Sequence, residues 1–224
     1  MGKDDLAFLE CHIKPGMTVI DIGANLGMYS LAIAKLVGES GRVYAFEPAP
    51  SLYRAAARNI QRNDMAGIVR LENVALGSKT GNALLYPGGF NSGNSRLVAS
   101  SRHPNAVRVS LSRLDDILPD LSVDWIKIDV QGWEVEVLRG MQETLRRNPS
   151  IRLYFEFWAA GLRRAGENPA TLTEMLQANG FSIFLPNGRV PLTETELGHL
   201  VRRRSYFNLV AQRHGYCKPA SAGF

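Results

Sequence analysis

Three acidic residues stand at or near the ends of short apolar runs: Asp21 after Val19 and Ile20, Glu47 after Val43 to Phe46, and Asp129 after Trp125 to Ile128. Runs of this length bounded by turn residues read as buried strands. Each acid then sits at a strand's carboxyl end, where open α/β sheets bind ligands. After Asp21 the chain reads I-G-A-N-L-G and then takes up helical spacing from Met28. Gly23 and Gly27 let a ligand approach the backbone closely, and the free amides at a helix start favour polar or anionic groups. Glu47 follows this strand–glycine–helix unit at the spacing of an acid that accepts hydrogen bonds from ribose hydroxyls. The bland alternative makes the first segment an ordinary βα turn and Glu47 an exposed loop acid before Pro48 and Pro50. The chemistry suggested by the three acids together is a nucleoside cofactor lying across the crevice on which they converge.

The dinucleotide fingerprint would need glycines at 23, 25 and 28, and those places hold Gly23, Asn25 and Met28. A phosphate-binding loop needs Lys followed by Ser or Thr, which is absent here. The pattern [DE]-x-G-x-G-x-G of S-adenosylmethionine-dependent methyltransferases is met at Asp21, Gly23 and Gly27, with Asn25 at the middle glycine. A cofactor without phosphates needs no basic cradle, and none is seen.

The D-I-G-A-N-L-G-M-Y-S stretch resembles the first motif of the FkbM family of methyltransferases, and Val123 to Gly140 resembles its second. Glu47-Pro48 and Asn73 to Gly77 match as well, so the likeness runs from about Val19 to Ala211. The resemblance implies that Asp21, Gly23, Ala24, Asn25 and Gly27 surround the methionine end of S-adenosylmethionine. It implies that Glu47 with Pro48 holds the ribose, that Asn73 and Val74 flank the adenine, and that Asp129 lies near the methyl group. It also implies O-methylation of a hydroxyl on a secondary metabolite, sugar or glycolipid. Gln131 departs from the pattern, since the family often has Glu there, and an amide cannot act as a base.

An alcohol acceptor must lose its proton, which a positioned base assists. The candidates are Asp129, Glu134, Glu156 and His103, the last in a long loop suited to an acceptor. Asp129 and Glu156 could share a divalent cation that polarises the hydroxyl, but no third ligand is visible and metal is not favoured. Lys127, in the middle of a strand, needs an acidic partner such as Glu156 or Glu134. Trp133 reads as a packing residue beside the site.

These residues need a scaffold. Helical spacing runs over Asp4 to His12, and a turn at Lys14 to Met17 leads into the strand from Thr18. A helix to Val37 follows, then a strand over Arg42–Glu47, a helix to Asn63 and a strand over Ile68–Leu71. Ala83–Tyr86 and Val107–Ser110 are β-like, and Leu111–Leu118 reads as a short helix. The stretch from Pro87 to Asn105 lacks periodicity, and a loop of that length is usually functional or disordered. A strand over Val123–Asp129, a single helix from Glu134 to Arg147 and a strand over Ile151–Phe157 come next. Pro169–Asn179 is helical, and two late strands, Phe181–Leu185 and Tyr206–Ala211, flank a loop over Pro186–Arg204. Alternating strands and helices make an α/β fold with right-handed crossovers. We expect one doubly wound, Rossmann-like methyltransferase domain over residues 18–212, with a mostly parallel seven-stranded sheet and an antiparallel last strand. Residues 1–17 would form an entry helix and turn, and residues 213–224 a loose tail.

The chain has 224 residues, enough for a large core, and a net charge of +5, too mild to imply nucleic acid by itself. Arg202-Arg203-Arg204 reads as a solvated face. Cys11 and Cys217 form no CxxC or zinc spacing, which fits reduced thiols in the cytoplasm. The polar start Met1–Asp5 does not read as a leader, and no stretch has the apolar length of a membrane span. The acceptor is expected to be a small molecule or glycan rather than nucleic acid. An RNA methyltransferase is the rival enzyme, but the fourth main strand ends in Asp129-Val130-Gln131-Gly132, not in the Asn/Asp-Pro-Pro-aromatic stretch of base-amino methylation. A non-catalytic S-adenosylmethionine-binding domain is the third reading.

Overall fold

The computed structural model describes residues 3–86, 96–98, 106–203 and 205–213. Most of the 87–105 stretch, with His103, and the tail with Cys217 lie outside the described residues.

The central strand β1 (Thr18–Ile22) pairs in parallel with β2 (Arg42–Phe46) on one side and β8 (Trp125–Ile128) on the other. Beyond β2 lies β3 (Val69–Glu72), and beyond β8 lies β9 (Arg152–Phe157), both parallel. The last strand, β11 (Phe207–Gln212), runs antiparallel between β9 and β10 (Ser182–Phe184). The seven-stranded, mostly parallel α/β sheet with its antiparallel last strand is therefore as the sequence suggests.

Side chains alternate across this sheet as strand geometry requires. Ile20, Ile22, Leu153, Phe155 and Phe157 face one layer, while Val19, Val43, Trp125 and Tyr154 face the other. The second face is covered by α1 (Lys3–His12) and α2 (Met28–Val37), with α3 (Pro50–Arg62) contributing Ile60. The first is covered by α5 (Glu134–Arg139) and α8 (Pro169–Ala178), through Val135, Leu138, Leu172 and Leu176. Burial on both faces explains why the parallel strands are mostly apolar. The entry helix α1 is fixed by a stack of rings: Phe8 lies 4.8 Å from Tyr154, and Tyr154 lies 5.7 Å from Trp125.

Other elements depart from the expectation. A second sheet, in the order β4 (Ala75–Leu76), β7 (Val107–Ser112), β5 (Gly81–Tyr86), β6 (Arg96–Val98), stands beside the first. It has its own small core of Leu52, Leu85, Leu97, Val109 and Leu111. Leu111 thus belongs to a strand, and the helix after it is only α4 (Leu114–Ile117). The single helix expected to Arg147 is broken into α5 and α6 (Gln142–Arg147). The break comes where the Gly140 N–H caps α5 and its carbonyl accepts from the Asp115 N–H. Two further helices, α7 (Ala159–Arg164) and α9 (Glu194–Arg202), fill stretches read as loop. Helix α9 starts on a capping box in which Thr193 and Glu196 satisfy each other's backbone N–H. Among the described residues, no helix is long and apolar enough to cross a membrane.

Candidate active site

A crevice opens at the carboxyl ends of β1, β2 and β8, lined on one side by Gly23, Asn25, Glu47 and Pro48 and on the other by Asp129, Val130 and Gln131. Val74, Leu85, Leu97 and Trp133 form an apolar wall. With its mouth included, the open space is ≈ 770 Å³.

The first turn is tightly tied to the second strand. Gly23 and Ala24 both donate their N–H to the Phe46 carbonyl at 3.0 Å. Gly23 has φ = 83°, and a Cβ there would sit 1.9 Å from the Asp129 carbonyl oxygen. Only glycine lets β1 and β8 close at this point. Asn25 also has positive φ, and its N–H donates to Glu47 Oε2 at 2.8 Å. The Ala49 N–H donates to Glu47 Oε1 at 2.9 Å. Each Glu47 oxygen thus holds one backbone N–H and keeps lone-pair capacity for a ligand diol. Burial raises the Glu47 pKa, and the two N–H bonds counter that shift. The side-chain oxygen of Asn25 is buried without a partner. A buried acceptor in a crevice wall calls for a donor from a ligand.

Asp21, Ala24, Gly27 and Asn73 are not among the lining residues. Asp21 is fully buried and accepts from Ser30 Oγ at 2.6 Å and from Lys127 Nζ at 3.0 Å. The partner of Lys127 is thus Asp21, not Glu156 or Glu134. The two residues stand opposite each other in the β1–β8 register and on the same face of the sheet. The Lys127 ammonium also donates to the Gly23 carbonyl at 3.0 Å and lies 3.9 Å from Asp129 Oδ2. Buried against these acids it stays charged: desolvation would lower its pKa, but Asp21 and Asp129 raise it. Asn73 braces the end of β2 by donating to the Glu47 and Pro48 carbonyls at 2.8 and 3.0 Å.

On the opposite side, Gln131 Nε2 donates to Asp129 Oδ1 at 2.9 Å and to Glu156 Oε2 at 2.8 Å. Glu134 is fully buried. Its Oε1 accepts from the Val130 and Gly132 N–H groups at 3.3 and 3.1 Å, while its Oε2 has no partner. Burial pushes the Glu134 pKa up to about 7. Burial, with the Asp129 and Glu134 charges behind it, pushes Glu156 to about 8. Asp129, Glu134 and Glu156 are therefore brought together. Among the described residues no group of three or more His, Cys, Asp or Glu is arranged to hold a metal ion. Trp133 packs against both the main core and the small one, and its Nε1 is buried without a partner. The second-sheet leucines and the Asp21–Lys127–Ser30 network were beyond sequence reasoning because both depend on packing between distant segments.

The family model described as "Methyltransferase FkbM domain" matches residues 21–183. "Methyltransferase sdnD" of Sordaria araneosa is 32% identical over 157 residues, covering 56% of this chain and 60% of that protein. "31-O-demethyl-FK506 methyltransferase FkbM" of Streptomyces tacrolimicus is 28% identical over 164 residues, covering 59% and 62%. The chain thus spans about 60% of the length of these curated relatives. In fold it is similar to the crystal structure of a methyltransferase FkbM from Methylobacillus flagellatus, with a TM-score of 0.55 at 14% identity, covering 87% of this chain and 43% of that one.

Proposed function

The chain belongs to the FkbM methyltransferase family, and we propose that it methylates a hydroxyl of a small molecule or glycan, with S-adenosylmethionine as donor. The observation that carries this reading is the crevice itself, with Glu47 fixed by two backbone N–H groups at one end and Asp129 at the other. The residues present fit the donor. The unpartnered Asn25 oxygen suits its ammonium group, the Glu47 carboxylate suits a ribose diol, and the apolar wall with Val74 suits adenine.

S-adenosylmethionine supplies a methyl group on a sulfonium, already activated for in-line displacement by an oxygen. The protein's task is then alignment and proton management. Asp21, Ala24, Gly27 and Asn73 support the binding surface from behind, and Gly23, Asn25, Glu47, Pro48 and Val74 contact the donor. Asp129, the half-exposed carboxylate of the cluster, takes the acceptor's hydroxyl proton on its Oδ2. Glu156 and Glu134 stand behind it as buried acids. His103 remains a further candidate to meet the acceptor. A reduced cytoplasmic setting suits the exposed free thiol of Cys11.

Calorimetry separates this reading from a dehydrogenase: the protein should bind S-adenosylmethionine and ignore NAD, and the reverse result overturns the assignment. Labelled methyl transfer to a panel of sugars, polyketides and RNA identifies the acceptor class, with label expected on the first two. Glu47→Ala should weaken S-adenosylmethionine binding by roughly 10-fold or more, the size of a lost charged hydrogen-bond partner. Unchanged affinity would remove Glu47 from the site.

A further inference from the structure

Gln131 is not the residue that proton chemistry would choose, yet it occupies the centre of the acidic cluster. Its Nε2 has two hydrogens, and the two bonds to Asp129 and Glu156 use both. Both neighbours are acceptors, so the amide must present its nitrogen to them. The backbone beneath is equally constrained. Gln131 has φ = 56°, in the left-handed region that a non-glycine residue enters only under strain. The next residue, Gly132, has φ = 104°, and a Cβ there would come within 2.4 Å of the Gly161 carbonyl carbon. The Val130 and Gly132 N–H groups are in turn held by Glu134. An uncommon backbone conformation, pinned on two sides, is being used to aim one side-chain amide.

We propose that Gln131 is a positioning residue for the acceptor side of the site, tying Asp129 and Glu156 into one unit whose remaining oxygens serve the acceptor hydroxyl. This inference rests on the methyl-transfer reading above. The amide joins two acids carried on neighbouring strands without adding charge. A carboxyl at 131 would set three carboxyl groups side by side, which only shared protons or a cation could relieve. By donating to Glu156 the amide favours its ionised form, and so offsets part of the cost of burying it. The other charged or titratable groups around the pair are Lys127 on β8, Glu134 on α5, Tyr154 on β9 and Tyr29 on α2, with Asp5 on α1 facing the two tyrosines. Glu156 also feels Lys127, which works in the same direction as Gln131.

The test uses the whole protein with carbon-13-labelled glutamate carboxyl groups, the Glu156 signal being assigned through Glu156→Gln. Gln131→Met keeps the side-chain length and removes the donors. Gln131→Glu keeps the shape and adds charge, and serves if the first variant does not fold. In either variant the Glu156 carboxyl should titrate at a pH higher by about one unit or more. With the first sugar or polyketide of the panel that takes label, the acidic limb of kcat should move with it. At the wild-type optimum kcat should fall by up to about 100-fold, the scale of lost alignment. S-adenosylmethionine affinity should stay within about threefold. A folded variant whose Glu156 titration and pH–rate profile superimpose on the wild type overturns the proposal and leaves methyl transfer standing. If the titration moves but no acceptor in the panel takes label from the wild type, the methyl-transfer reading fails and the proposal fails with it.

Discussion

Three described non-glycine residues hold positive φ: Asn25, Asp64 and Gln131, and two of these line the crevice. Asparagine tolerates this conformation because its short polar side chain can bond locally, but the side-chain oxygen of Asn25 makes no bond. That leaves it for a ligand, and the idea is separable from backbone strain. Asn25→Gly removes the acceptor while easing the backbone. Thermal stability should hold or rise, and S-adenosylmethionine affinity should drop by about 10-fold, the loss of roughly one hydrogen bond. Calorimetry beside a melting curve decides it, and equal affinity would show the oxygen idle. The Asp21–Lys127 pair makes a different claim. Lys127→Met strands a buried carboxylate and should cost about 3–5 kcal/mol in denaturant unfolding, whereas Asp21→Asn with Lys127→Met should recover much of that. If the double variant is as unstable as the single, the pair is not a closed unit. Asp21, Glu47 and Asp129 were legible as strand-end acids because residue type and position suffice there. The partner of Lys127 was not, since it follows from the β1–β8 register between residues 106 apart in the chain.

At the level of elements, the parallel core was readable because its strands are continuous apolar runs. Of the second sheet only β5 and β7 are legible, because β4 is two residues long and β6 comes from the glycine- and serine-rich stretch. Helix α9 was missed for another reason. Its region reads as a loop separating two late strands, although Thr193 and Glu196 spell a capping box before Leu197, Leu200 and Val201. The helix should depend on that cap. Thr193→Ala should cost about 1 kcal/mol of stability, and hydrogen exchange should quicken in α9 ahead of the sheet. Uniform exchange would show the helix held by packing alone through Leu197.

Across the whole molecule, the buried acids set a pH dependence. The folded-state pKa values of Glu134 and Glu156, about 7 and about 8, lie above the ordinary glutamate value of 4.5. Between those limits the native state binds more protons than the unfolded chain, so stability falls as pH rises. The contribution is fully present below about pH 4.5 and lost on passing about 8. His12 acts in the opposite sense. Burial lowers its pKa below 6.5, so it adds stability as pH rises through that lower value. The informative measurement is therefore a difference: Glu134→Gln and Glu156→Gln should each flatten the decline in melting temperature from pH 5.5 to 8.5, a window spanning the two raised values. Curves parallel to the wild type would mean that these groups are ionised at neutral pH.

The place of β11 has a consequence in time. Strand β11 lies between β9 and β10, which are both made before it. While the ribosome is still working, β9 presents an open edge, with Phe155 and Phe157 beside it, until residues 207–212 emerge and slide into the gap. An open apolar strand edge invites pairing with a neighbouring chain. The nascent chain is thus exposed to misassembly along β9 until β11 is in place, and chaperone demand should be high over that interval.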